Sequence, residues 1–68
     1  MAGLVVHLEA RRRAAGMTQA DLAEAAGVSR KTINTVENGV FVPSTVLALR
    51  LAQVLGCSVH DLFELERE

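Results

Sequence analysis

A compact all-α domain of five short helices is what this sequence predicts, and three observations carry that expectation. Alanine is the commonest residue, half of the chain is apolar, and only Phe41 and Phe63 are aromatic, a composition suited to helices packed at close range. Glycines and capping residues punctuate the chain at short, regular intervals. Finally, 68 residues with a single cysteine allow one domain, residues 1–68, with no internal disulfide and no Cys/His cluster for a structural metal. A chain of this size buries only about 60% of the surface its unfolded form exposes. Tight helix packing and oligomerisation are the remaining sources of stability.

The first helix ends at Gly16, and its start is the least defined, because Leu4-Val5-Val6 lacks a preceding capping residue and favours extended structure. Thr18 followed by Asp21 reads as a capping box opening the second helix, which Gly27 ends. Ser29 caps a third helix through about Glu37, and Asn38-Gly39 marks a stop. Pro43-Ser44 opens a fourth, with Ser44 as N-cap, running to Leu55 before Gly56. Ser58 and Asp61 form another box over a short helix covering Val59 to Phe63. The tail Phe63-Glu64-Leu65-Glu66-Arg67 alternates with the period of a half-buried strand. It could pair with Leu4–Val6 as short terminal β-strands, within or between subunits; frayed helical ends are the alternative.

Composition also excludes functions. No apolar run approaches the ~20 residues that span a bilayer, and no signal-peptide pattern opens the chain, so a cytoplasmic setting is expected. Net charge is −1, but its distribution is uneven. Residues 1–37 carry five cations and four anions; residues 38–68 carry two cations and four anions, all from Asp61 onward. A polyanion would therefore meet the middle of the chain. Cys57 and His60 have the spacing of half a zinc site without a second pair, and the Ser, Asp and His residues show no catalytic spacing. Neither an enzyme, a cofactor, a metal nor a small-molecule ligand is expected.

The stretch GVSRKTINTVENG is the informative one. At roughly 100° per residue, Ser29, Ile33, Val36 and Glu37 share one face of the third helix. Lys31, Asn34, Thr35 and Asn38 lie opposite, flanked by Arg30 and Thr32. A solvated helix face is ordinarily rich in Glu/Lys pairs. This one has no carboxylate and several poor helix formers, and Lys, Asn and Thr are side chains suited to base edges and phosphates. Ala23 sits four residues before Gly27 and Ile33 six after it. Two helices crossing steeply need a small residue at their closest approach and a glycine in the turn. That is a helix-turn-helix pattern over about residues 18–37.

The run MTQADLAEAAGVSRKTINTVENG followed by PSTVLALRLAQVLGCSVHDLF resembles the phage-repressor (Cro-like, lambda-repressor-like) helix-turn-helix family from about Leu8 to Phe63. The ordered set TQ-x-x-LA, GVS, I-x-x-x-E-N-G, PS, A-x-x-LG and D-L-F carries the likeness. It implies a five-helix domain binding double-stranded DNA, a homodimeric transcriptional regulator, most like small stand-alone repressors of the cytolysin-repressor kind and associated with the nucleoid. The stretch VFVPSTVLALRLAQVLGCSVHDLF also resembles DNA-binding modules fused to larger effector domains. By position, the resemblance assigns base reading to Arg30, Lys31 and Thr35, with Asn34 beside them. It assigns phosphate contact to Gln19, Ser29, Thr32 and Asn38, Gln19 also bracing the recognition helix. The loop Val40-Phe41-Val42 departs from the family, which places polar residues there. Phe41 is expected to fold back onto the domain, leaving backbone N–H groups for phosphate; the alternative is that it serves a subunit interface.

Glu37 shares its face with Ile33, and a buried carboxylate needs a partner. Arg12 lies on the apolar stripe of the first helix with Leu8 and Ala15, so a buried Arg12–Glu37 ion pair is expected, as the family resemblance also implies. The alternative is that both side chains reach solvent separately. In the fourth helix, Thr45, Ala48, Leu51, Ala52 and Leu55 satisfy the interior. Val46, Leu47, Leu49 and Val54 remain in excess. Val46, Leu47 and Val54, with Leu65, are the expected dimer contacts. A helical protein-interaction module without DNA activity is the competing function class.

Overall fold

The computed structural model describes residues 3–67. Its elements run β1 (Leu4–Val6), α1 (Leu8–Ala14), α2 (Gln19–Ala26), α3 (Arg30–Glu37), α4 (Thr45–Leu55), α5 (Val59–Leu62) and β2 (Phe63–Leu65). Five helices thus form where the punctuation places them, and each boundary has a local cause. Thr18 Oγ1 accepts from the Asp21 N–H at 3.0 Å while the Asp21 carboxylate accepts from the Thr18 N–H at 2.9 Å, a complete capping box. Those bonds hold the Asp21 carboxyl below the usual carboxylate range. Ser29 Oγ and Ser44 Oγ each accept the third N–H of the helix that follows, both at 3.1 Å. Gly27 closes α2 with φ +73°, in the left-handed region that a side chain resists, and this lets the chain turn directly into α3.

The ends of the described chain form a sheet. β1 and β2 pair antiparallel in register Leu4↔Leu65, Val5↔Glu64 and Val6↔Phe63. Two backbone bonds extend the pairing: the Glu66 N–H donates to Gly3 O at 2.7 Å and the His7 N–H to Leu62 O at 2.8 Å. Of the two sequence readings for these segments, the strand pair is therefore the one adopted, within one chain. Phe63 moves accordingly from the helix expected over Val59 to Phe63 into β2, with extended backbone (φ −140°, ψ 137°). Its ring gains burial in the core there while its backbone gains a ladder partner.

Leu8, Leu22, Ile33, Val36, Leu51 and Leu62 are fully buried and join all five helices around one core. Each such side chain contributes roughly 1.5–3 kcal/mol by leaving water. In α4 the interior set differs from the expected one. Leu47 is 7% exposed and packs inward with Ala48, Leu51 and Ala52, whereas Thr45 faces solvent and Leu55 is half-buried. Ser44 caps the helix, and the packing of α4 against α2 and α5 turns position 47 toward the core. Leu47 is thus removed from the expected dimer contacts, and Leu49, 57% exposed, stands outside instead. Among the described residues, no helix is long and apolar enough to cross a membrane.

Candidate nucleic-acid interface

The α3 helix is held from behind by a polar cluster reaching three helices. Arg12 of α1 donates from Nε to Glu37 Oε2 at 2.6 Å and from Nη2 to Glu37 Oε1 at 3.2 Å, a bidentate fork. Its Nη1 donates to Met17 O at 2.9 Å. Gln19, the first residue of α2, donates from Nε2 to Glu37 Oε1 at 2.9 Å. The Arg12 and Glu37 side chains are 8% and 3% exposed, so neither reaches solvent on its own. The bond to Glu37 holds the Arg12 guanidinium above its ordinary value against the opposing effect of burial. Every buried side-chain nitrogen and oxygen among the described residues has a partner. The cluster fixes the last turn of α3 against α1 and α2, which sets the direction in which the helix points.

On the other side of α3, Arg30, Lys31, Asn34 and Asn38 are exposed, and Thr32 and Thr35 are half-buried. Among the described residues no carboxylate lies within ion-pair distance of Arg30 or Lys31. Several polar groups here are already engaged. Ser29 Oγ and Thr32 Oγ1 lie 2.9 Å apart, Thr35 Oγ1 donates to Thr32 O at 3.0 Å, and Asn38 Nδ2 donates to Asn34 Oδ1 at 3.2 Å. Thr35 therefore presents its methyl group and acceptor lone pairs rather than a free hydroxyl proton.

The loop after α3 departs from expectation in two respects. Phe41 does not fold away; it is 47% exposed, and its neighbours Val40 and Val42 are more exposed still. The Val40 and Phe41 N–H groups both donate to Thr35 O, at 3.0 and 3.2 Å. Finishing a helix whose last carbonyls need donors takes precedence over presenting those amides outward. Sequence reasoning also missed Glu9, whose carboxylate lies 4.0 Å from Arg12 Nη2 and 2.9 Å from Arg13 Nη2. Its placement three and four residues before two arginines was the available signal. Arg11 and Arg13 are solvent-facing and paired with Asp61 and Glu9. Cys57 and His60 belong to no group of three or more potential metal ligands among the described residues.

The arrangement of α2, the Gly27 turn and α3, with α1 and α4 packed around them, matches a helix-turn-helix family model over residues 8–62. The chain belongs to the helix-turn-helix family. An HTH-type transcriptional regulator of Methanothermobacter thermautotrophicus is 43% identical over 58 residues, 84% of each chain. The restriction-modification controller protein C.AhdI of Aeromonas hydrophila superposes with a TM-score of 0.76 at 33% identity, over 79% of this chain and 82% of that one. The clp gene regulator ClgR of Corynebacterium glutamicum gives 0.76 at 35% identity, over 79% of this chain and 57% of its own. The three relatives described above carry the names of regulators or controllers.

Proposed function

We propose that this helix-turn-helix protein is a homodimeric, cytoplasmic, nucleoid-associated repressor that reads a palindromic operator with α3 in the major groove. The observation that carries the reading is the outward side of α3: two cations with no ion-pair partner among the described residues and two asparagines, on a helix held by Arg12, Glu37 and Gln19. Arg30, Lys31, Asn34 and Thr35 read base edges. Ser29, Thr32, Asn38 and the uncommitted oxygen of Gln19 line the rim where phosphates pass, aided by the positive ends of α2 and α3. Two copies of α3 enter successive grooves about 34 Å apart, and repression follows from occlusion of a promoter.

Selection of sites from a random duplex library at two salt concentrations tests the reading. An enriched palindrome with half-sites about one turn apart is the expected result. Each half-site neutralises about two to four phosphates, so affinity falls with log salt at a slope of roughly −2 to −4 per half-site. Absence of enrichment over bulk DNA would move the function to the competing class, a protein-interaction module.

For the dimer, Val46, Val54 and Leu65 are retained as contacts, with Leu49 in place of Leu47. Leu49 lines a groove with Leu4, Val42, Ala48, Val59 and Phe63, and apolar surface of that kind is seldom left wet. Leu49→Asp is expected to convert the dimer to monomer in sedimentation experiments while helical content is unchanged. A wild-type protein that sediments as a monomer at every concentration would remove the dimer.

A further inference from the structure

A side chain reads a base only with the hydrogen-bonding capacity that its own helix leaves unspent. On the outward side of α3, Thr35 has given its hydroxyl proton to Thr32 O. Asn34 is engaged through its oxygen, because Asn38 Nδ2 donates to Asn34 Oδ1 at 3.2 Å. The same two residues are joined along the backbone, where the Asn38 N–H donates to Asn34 O at 3.1 Å. The last turn of α3 therefore sets the Asn38 amide beside that of Asn34.

Both side chains are exposed, and a pair of this kind four residues apart on a solvated face adds little to helix stability. Its consequence is directional. With Oδ1 turned toward Asn38, Nδ2 and its two hydrogens lie on the far side of the amide. Asparagine ordinarily reads adenine by accepting from N6 and donating to N7 at once. Here the N6 amino group would have to share one oxygen with the Asn38 N–H, two donors converging on one acceptor. Guanine presents two acceptors, N7 and O6, and needs only the donors that Asn34 has free.

We propose that Asn38 is a positioning residue that holds Asn34 as a hydrogen-bond donor, so that Asn34 selects guanine over adenine in the operator half-site. The proposal rests on the operator reading above and adds to it the base at one position and the residue that decides it. Asn38 keeps its second Nδ2 hydrogen for the phosphate at the rim. Arg30 and Lys31 can only donate, so Asn34 extends a row of donors, and of the four readers Thr35 alone is left to accept.

The experiment is a purine-exchange scan of the selected operator. Each guanine–cytosine pair of a half-site is replaced in turn by adenine–deoxyuridine, which turns the O6 acceptor into an N6 donor and brings no methyl group. Asn34→Ala marks the pair that Asn34 reads, since the penalty there disappears and the others stay. Wild-type protein is expected to lose about tenfold in affinity at that pair. Asn38→Ala is expected to cut this penalty to about threefold or less and to leave those at the other pairs unchanged. Asn38→Gln, which keeps an amide donor, should restore it. Both positions are exposed, and Asn38 has φ −86°, which any residue adopts, so the variants retain the fold. A residue that only touched phosphate would instead weaken every sequence by the same factor. That uniform loss in Asn38→Ala, an undiminished penalty at the marked pair, or no pair marked by Asn34→Ala overturns the inference and leaves the operator reading standing. Failure to bind any duplex overturns both.

Discussion

Replacing Glu37 with alanine is expected to lower folding stability by roughly 3–5 kcal/mol, the cost of leaving one member of a buried ion pair without its partner. The geometry explains why the loss falls at the upper end for a side-chain truncation. Glu37 accepts three bonds, two from Arg12 and one from Gln19. Its removal leaves a guanidinium with 8% of its side chain exposed and only the Met17 carbonyl at bonding distance. Glu9, at 4.0 Å and half-exposed, is too distant and too solvated to replace it. Replacing both partners by apolar residues, Arg12→Met with Glu37→Leu, should recover much of the loss, since the desolvation cost of the charges disappears with them. Thermal melts of the single and double variants separate these effects. For a domain this small, 1 kcal/mol moves the midpoint by about 4–8 °C. A Glu37→Ala midpoint within about 4 °C of wild type would therefore show that the cluster contributes little. The expected ordering is wild type, then the double variant, then Glu37→Ala.

Lys31→Glu carries the second large effect, and it falls on binding alone. Lys31 is exposed and has no ion-pair partner among the described residues, so the melt should not move. On DNA the substitution removes a contact worth about 1–3 kcal/mol and sets a carboxylate against a polyanion. Affinity for the selected operator is expected to fall on the order of 100-fold. Titration of labelled duplex against both proteins at one salt concentration measures it. A variant that folds normally and still binds the operator at wild-type strength would place base reading on another face. The contrast with Glu37→Ala is useful: one substitution should act on the scaffold and the other on the surface it presents.

The helices were legible in the sequence because their boundaries are local. Thr18, Ser29 and Ser44 satisfy N–H groups within three residues of themselves, and the left-handed turns at Gly27 and Gly56 need only glycine. The Arg12–Glu37 contact could be anticipated across 25 residues because each charge falls on a stripe that is otherwise apolar. What periodicity could not resolve was decided by distant partners. Leu4–Val6 and Phe63–Leu65 look ambiguous alone, and each becomes a strand only because the other is within reach. Leu47 and Thr45 differ in burial because the whole of α4 is rotated by its packing against α2 and α5, and a helix with apolar residues on most sides does not announce which side faces in. The Phe41 loop was misread for a different reason. Its backbone had two claims on it, a ligand outside and the open end of α3 beside it, and a linear sequence does not show that the nearer claim prevails.

The strand pair that joins the two ends has a mechanical consequence. Leu4 and Leu65 lie opposite each other at its open end, and Val6 and Phe63 at its closed end. A force pulling the two ends of the chain apart would peel this clasp, loading its bonds one after another instead of together. Two residue pairs, Leu4–Leu65 and Val5–Glu64, can part in sequence before the load reaches Val6 and Phe63, whose side chains pack in and against the core. The clasp thus works as a fuse. Tension between the two ends would open it first, before the helices that hold α3 in place are loaded.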